Sequence, residues 1–380
     1  MKKIKVGIIG MGYIGESHIE AVRRIGLCEL YAVADTNYAL AKKKAEYYGI
    51  EKCYATVEEL LADPDIDAVH NCTPNFLHYD INAKIIESGK HLLSEKPLCT
   101  SYAEANALCE LKKRHPESAA AVNFNYRMNP MVLEMKARIA AGGLGGVFVV
   151  SGTYQQDWLL YDTDYSWRLD PKMAGPSCAL ADIGSHWMDT VQFVTGHTIT
   201  EVMGDIRAVI PVRKKPKKQT ETFSNAVPNE YEPVQVQNED YAAVLFRTDK
   251  GASGVFHVSE VAAGHGCYLN FEITGQTGSL RWNQEENDRL WIGRRGGDNS
   301  LIIRDPNSVS PAVKPYTALV MGHPEGWNDA FKGNLYSFYK YIADGMQGPA
   351  PFSTLEQATY IVRLTEAILR SSKERQWIKI

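Results

Sequence analysis

The apolar run Ile4-Lys5-Val6-Gly7-Ile8-Ile9 leads directly into Gly10-Met11-Gly12-Tyr13-Ile14-Gly15, and no other feature of the chain narrows its fold as much. A strand buried on both faces of a parallel sheet has this kind of apolar run. After the glycines, Ile14, Ile19, Val22 and Ile25 fall near one helical face. Strand, glycine turn and helix in that order predict the start of a βαβ unit. Gly10 permits the tight turn, Gly12 lets a dinucleotide pyrophosphate approach the backbone, and Gly15 lets helix and strand pack closely. The positive end of the helix favours the phosphate charge.

The alternation continues to about residue 124. Glu29 to Asp35 reads as a strand ending in a carboxylate, and Thr36 or Asn37 can cap the helix that follows. Thr56-Val57-Glu58-Glu59 has the pattern of a capping box. Asp67 to Cys72 is a strand stopped by Thr73-Pro74-Asn75, a helix runs from Leu77 to Ser88, and His91 to Ser94 is the next strand. Thr100 opens a helix to about Arg114, and Ala119 to Phe124 is one more strand. Strands alternating with helices imply right-handed crossovers and a doubly wound parallel sheet.

From Asn125 the character changes. One helix, Pro130 to Ala141, precedes strands at Val147–Asp157, Glu201–Ile210, Asp240–Arg247, Ser253–Val261, Tyr268–Thr274, Ser279–Trp282 and Arg289–Ile292. Asp249-Lys250-Gly251 marks a hairpin. So many strands with few crossovers predict an α+β domain with a large open, mostly antiparallel sheet and helices on one face. Arg213 to Lys218 opens a polar stretch reaching about Gln237, which reads as a solvated loop because no aromatics interleave the charge. Helices at Gly326–Asp344 and Thr354–Lys373 close the chain. The expected domains are 1–124, an α/β Rossmann fold, and 125–380.

With 41 Lys+Arg against 45 Asp+Glu, the net charge of -4 argues against a nucleic-acid surface spread over the molecule. No apolar run approaches the roughly 18 residues of a membrane span, and the short, glycine-broken stretch after Met1-Lys2-Lys3-Ile4 does not resemble a signal peptide. The seven cysteines are scattered without a C-x-x-C, which fits reduced thiols in a cytoplasmic protein rather than a disulfide framework or zinc site. No metal is expected.

Three groups of residues carry chemistry. Asp35 lies at a strand end twenty residues past Gly15, where a carboxylate accepts hydrogen bonds from the adenosine ribose; its charge favours NAD without excluding NADP. Lys42, Lys43 and Lys44 lie too far along the next helix to reverse that preference. Glu95-Lys96-Pro97 follows a parallel strand, at the carboxyl edge where open α/β sheets bind ligands. Lys96 there can hold a substrate hydroxyl and stabilise a developing alkoxide, and an X-Pro bond such as Lys96–Pro97 can be cis. In Asp182-Ile183-Gly184-Ser185-His186, helical spacing puts Asp182 and His186 on one face. A histidine is a natural proton carrier near neutral pH, and a carboxylate one turn earlier can orient it or bind a hydroxyl.

The strand with its Gly-Met-Gly-Tyr-Ile-Gly turn, the Glu-Lys-Pro tripeptide, Asn123-Phe124-Asn125-Tyr126-Arg127 and the Asp182–His186 segment occur in one order that resembles the Gfo/Idh/MocA family. The resemblance implies a Rossmann domain for NAD or NADP and a second domain whose sheet mediates homodimer or homotetramer formation. It implies a catalytic group of Lys96, Asp182 and His186. It places Gly10, Met11, Gly12, Tyr13, Ile14, Gly15, Asp35, Thr36, Thr73, Asn75, His78, Glu95, Lys96, Asn125, Trp167 and Arg168 at the cofactor. The Gln155–Trp158 and His323–Trp327 segments resemble those of a sugar-dehydrogenase branch. Tyr126, Gln155, Asp157, Trp158 and His323 join Lys96, Asp182 and His186 as candidate substrate contacts.

The expected activity is NAD-dependent oxidation of a secondary alcohol of a sugar, anhydrosugar or cyclitol, with no nucleic-acid or membrane partner. One rival is redox-neutral glycoside cleavage through transient sugar oxidation on a retained NAD. The other is a dinucleotide-binding sensor without catalysis.

Overall fold

The computed structural model describes residues 3–217 and 230–380. The chain forms two compact units. The first comprises the residues up to Asn125 together with Asn328–Val362, and the second comprises Tyr126–Trp327 with Arg363–Ile380.

In chain order the first unit opens with β1 (Ile4–Ile9), α1 (Tyr13–Arg23), β2 (Cys28–Ala34), α2 (Tyr38–Tyr48), β3 (Lys52–Tyr54), α3 (Val57–Ala62) and β4 (Ala68–Asn71). It continues with α4 (His78–Glu87), β5 (His91–Ser94), α5 (Tyr102–Lys113) and β6 (Ala120–Val122). The six strands pair in parallel in the order β3-β2-β1-β4-β5-β6, so the expected doubly wound sheet is present. The strand order reverses beside β1, which places the ends of β1 and β4 at the switch point. Local signals act as the sequence implies: Thr56 and Glu59 form a capping box on α3. Asn37 rather than Thr36 caps α2, and Ser101 rather than Thr100 caps α5. The short β3 was not expected.

The second unit holds α6 (Pro130–Ala140), β7 (Val147–Gln155), α7 (Pro171–Ala174), α8 (Ser185–Thr195), β8 (Ile199–Arg207), β9 (Val212–Pro216) and β10 (Tyr231–Gln235). After these come β11 (Tyr241–Thr248), β12 (Ser253–Ser259), β13 (Tyr268–Gly275), β14 (Ser279–Asn283), β15 (Arg289–Gly293) and β16 (Ser300–Ile303). The chain ends in α9 (Trp327–Ala343), α10 (Leu355–Glu374) and β17 (Ile378–Lys379). A nine-stranded sheet runs β16-β15-β14-β13-β7-β12-β11-β8-β17. Only its β7–β12 pair is parallel, so the sheet is mixed and mostly antiparallel. The hairpin at Asp249–Gly251 joins β11 to β12, with Gly251 at φ 84. One face is covered: Trp187 of α8 stacks on Phe256 at 4.4 Å, and Gly204 of β8 admits Ile368 of α10 so closely that a Cβ would lie 2.8 Å from its Cγ2. On the other face Val149, Leu245 and Val255 are exposed.

The polar stretch after Pro211 corrects the expected loop. β9 and β10 form a two-stranded antiparallel ribbon, Val212 opposite Gln235 and Pro216 opposite Tyr231. Arg213 is fully buried; its Nη2 donates to Asp240 Oδ2 at 2.9 Å and its Nη1 to the carbonyls of Tyr161 and Asp164. A buried guanidinium needs acceptors for its fork of donors, and the ribbon places it among them. Lys218 and the stretch as far as residue 229 lie outside the described residues.

Among the described residues no helix is long and apolar enough to cross a membrane. All seven cysteines are free thiols.

Candidate functional site

In the first unit the turn between β1 and α1 assigns three different duties to its glycines. Gly10 has φ 95, and a Cβ there would meet the Cys72 carbonyl oxygen at 2.7 Å. A Cβ on Gly15 would lie 2.3 Å from the Gly10 carbonyl oxygen. Gly12 has nothing within 4 Å of such a Cβ. The fold itself requires the first and third glycines, whereas the room at Gly12 faces outward. Gly12 also caps α1 without a side-chain acceptor, so the helix presents its first N–H groups at this open spot. These residues fit a dinucleotide pyrophosphate. Tyr13 is exposed and Met11 buried.

Asp35 follows β2 directly, beside the turn. Its Oδ2 accepts from Met11 N and its Oδ1 from Asn37 N, both at 2.8 Å. Each oxygen keeps a second lone pair for a ribose hydroxyl. Thr36 next to it is exposed. Lys44, expected to lie too far along α2, reaches back: its Nζ donates to the Met11 carbonyl at 2.5 Å and pairs with Glu16 at 2.9 Å.

At the end of β4, Asn71 Oδ1 accepts from the backbone and hydroxyl of Thr73, which shapes the loop leading to Asn75. His78 is fully buried, with one ring nitrogen 2.6 Å from the Pro97 carbonyl and the other 2.8 Å from the Thr73 carbonyl. It staples this loop to the Lys96–Pro97 turn. The Lys96–Pro97 peptide is cis. Lys96 is half-buried, and its backbone N–H donates to Glu95 Oε2 at 3.2 Å. Glu95 turns inward: its Oε1 lies 3.0 Å from His18 Nε2 and 2.6 Å from Asn123 Nδ2. Burial alone would raise this carboxyl, but His18, Asn123 and the charge of Lys96 outweigh burial and hold it below the usual range. Asn125 is buried as well.

In the second unit, residues Leu180–Gly184 form a π-helical turn rather than the expected α-helix, and α8 begins only at Ser185. Such turns recur at functional sites. Two local causes stand out. Ser185 Oγ donates back to the Ala181 carbonyl at 2.7 Å, a bond that loosens helices. Glu239 Oε1 accepts from Ser177 Oγ, Cys178 N and Leu180 N and pins the start of the turn.

Asp182 and His186 are both buried. Arg168 Nε lies 3.1 Å from Asp182 Oδ2, and its guanidinium stacks 4.7 Å over Trp167. Arg168, grouped with the cofactor by resemblance, is thus the charge partner of Asp182. Ser166 Oγ accepts from Arg168 N and sets the short turn Trp167–Leu169. The Tyr126 ring stands edge-on to His186 at 4.8 Å, and its hydroxyl lies 2.7 Å from the Tyr154 hydroxyl and 3.0 Å from Cys267 Sγ.

Tyr154, Cys267 and Glu260 were not anticipated. Tyr154 was legible from strand alternation, because it, and not Gln155, shares the inward face of β7 with Val150. Gln155 points to the opposite face, 2.6 Å from His257. Glu260 has no local sequence signal; it is buried just past β12, with Oε2 3.5 Å from Cys178 Sγ. Burial and the Asp182 charge push its carboxyl up to about 8, against the pull of Arg168. Burial likewise raises the Cys178 thiol and the Glu239 carboxyl. Asp157 accepts a 3.4 Å bond from Gly264 N, and Trp158 beside it is exposed. His323 sits in an exposed loop whose carbonyl accepts from buried Arg304. Among the described residues no cluster of three or more His, Cys, Asp or Glu suits a metal ion.

Comparison with known proteins agrees with this architecture. Residues 4–124 match the family model GFO_IDH_MocA, an oxidoreductase family with an NAD-binding Rossmann fold. Residues 132–281 match the GFO/IDH/MocA C-terminal domain. Levoglucosan dehydrogenase of Pseudarthrobacter phenanthrenivorans is 28% identical over 395 residues, covering 100% of this chain and 99% of that protein. Myo-inositol 2-dehydrogenase of Thermotoga maritima is 25% identical over 377 residues, covering 99% and 98%. A solved levoglucosan dehydrogenase in complex with NADH and L-sorbose superposes with a TM-score of 0.90 at 27% identity, over 100% of this chain and 99% of that one.

Proposed function

This chain belongs to the Gfo/Idh/MocA oxidoreductase family, and from that membership we propose that it is an NAD-dependent dehydrogenase acting on a secondary alcohol of a sugar, anhydrosugar or cyclitol. The observation that carries the reading is the open face of Gly12 at the uncapped start of α1, between two glycines whose space the chain itself fills. Gly10 through Gly15 hold the pyrophosphate, Asp35 holds the adenosine ribose, and the loop from Thr73 to Asn75 lies beneath the nicotinamide. Bound NAD supplies the hydride acceptor.

The chain's own residues do the rest. Lys96 donates to the substrate hydroxyl oxygen and stabilises negative charge as it develops. His186 Nε2 takes the hydroxyl proton. Asp182, ion-paired with Arg168, accepts a hydrogen bond from a neighbouring hydroxyl or from His186. Tyr126 and Tyr154 stand beside the His186 ring and limit its rotation. The catalytic assignment of Lys96, Asp182 and His186 is supported by the family resemblance and by the burial of Asp182 and His186.

The exposed apolar face carrying Val149, Leu245 and Val255 supports a homo-oligomer joined through the large sheet. Seven free thiols support a reducing, cytoplasmic setting.

The test is NADH formation across inositols, aldoses and anhydrosugars, with NAD and with NADP, beside the double variant Lys96→Ala, His186→Ala. A signal with one polyol and NAD, lost in the double variant, is expected. Silence across the panel with NAD still bound, accompanied by glycoside cleavage without net NADH, would replace the reading with redox-neutral chemistry.

A further inference from the structure

Behind Lys96 the first unit buries a continuous chain of proton-bearing groups that nothing in the proposed reaction uses. Tyr339 OH lies 2.5 Å from His70 Nε2, His70 Nδ1 lies 2.9 Å from His18 Nδ1, and His18 Nε2 lies 3.0 Å from Glu95 Oε1. His18, His70 and Tyr339 are completely buried. The titratable groups facing Glu95 are His18 on α1, Cys72 just past β4, His78 on α4 and Lys96 beside it; His70 on β4 faces His18, and Tyr339 on α9 terminates the chain.

Hydrogen-bond arithmetic gives this chain one direction. Glu95 is a carboxylate and only accepts, so His18 Nε2 carries a proton. Two facing Nδ1 atoms need one donor. Tyr339 O–H donates to His70 Nε2, so the single ring proton of a neutral His70 sits on Nδ1 and is donated to the His18 Nδ1 lone pair. Burial keeps His70 neutral and Tyr339 protonated, as this order requires. Adding a proton to His18 would force His70 into its other tautomer and turn Tyr339 into an acceptor. The buried Tyr339 O–H would then need a new partner, which costs about 1–3 kcal/mol. The order therefore holds His18 Nε2–H as a fixed donor to the Glu95 carboxylate.

We propose that His18, His70 and Tyr339 are positioning residues that keep Glu95 ionised as the fixed counter-charge of Lys96 and tie the dinucleotide-binding helix α1 to that lysine. The role of Lys96 rests on the proposed function; the proton order does not.

The experiment has one arm for each part. Ring 15N NMR of the full-length protein at neutral pH is expected to show His18 as the Nε2–H tautomer and His70 as the Nδ1–H tautomer, both neutral. An imidazolium signature on His18, or the reverse tautomer on His70, overturns the proton order. In the second arm, amine labelling of Lys96 is followed against pH by mass spectrometry in the native protein, His18→Leu, His18→Gln and Tyr339→Phe. Loss of the donor to Glu95 in His18→Leu should let labelling begin at lower pH, by about one pH unit. His18→Gln, which keeps an amide donor, should restore most of the native profile. Labelling that is unchanged in His18→Leu, with the fold of that variant confirmed by an intact Tm, overturns the link to Lys96. Neither arm needs turnover. If both succeed while the polyol panel stays silent, the network stands and the dehydrogenase reading fails.

Discussion

Arg168 and Asp182 form an ion pair, Nε to Oδ2 at 3.1 Å, between the Trp167–Leu169 turn and the π-helical turn before α8. The carboxylate one turn before His186 therefore has a dedicated guanidinium, itself pinned over Trp167. Replacing Arg168 with Met leaves Asp182 buried without that charge, which favours its protonated form. We expect kcat/KM to fall about a hundredfold and the acid limb of the pH profile to move to higher pH, with Arg168→Lys recovering part of both. Unchanged kinetics in Arg168→Met would remove Asp182 from the reaction.

Glu260 makes stability depend on pH. Its carboxyl rises from 4.5 to about 8 in the folded protein. Across that window the folded state keeps a proton that the unfolded chain has released, so this group's contribution falls as pH rises and levels off above about 8. Glu260→Gln removes the titration. Its Tm should match the native protein near pH 5 and exceed it at pH 8.5 by at least about 2 °C. Parallel Tm curves would show that Glu260 is ionised throughout.

The three glycines of the first turn should separate stability from binding. Gly12→Ala meets no neighbour, so its Tm should stay native while NAD binds about tenfold more weakly. Gly10→Ala combines φ 95 with a 2.7 Å contact to a carbonyl and should lose about 1 kcal/mol or more. Calorimetry of both variants checks the pair, and native NAD affinity in Gly12→Ala would move the pyrophosphate elsewhere.

The basic run at 213–217 mixes one buried cation with surface ones. Arg213→Met strands the buried Asp240 and should cost about 3–5 kcal/mol. Lys214→Met and Lys217→Met, in exposed pairs with Asp162 and Glu230, should change stability by less than about 1 kcal/mol. Urea unfolding distinguishes them.

The sequence by itself determined what depends on near neighbours. Apolar runs, capping residues and the Gly10–Gly15 turn are local signals, and they specified the parallel sheet, the Thr56 capping box and the Asp249–Gly251 hairpin. Alternation along β7 also held the inward position of Tyr154, since strand residues change face at every step. Only the tertiary structure decided the rest. Glu260 meets Cys178, and Arg168 meets Asp182, because separate segments converge on the π-helical turn. Arg213 is buried because a ribbon carries it to Asp240. Residues Asn328–Val362 join the first unit, and Tyr339 completes the chain to Glu95 from 269 residues beyond His70. A charged side chain's burial, partner and protonation depend on which distant groups the fold delivers to it, and no periodicity in the chain encodes that meeting.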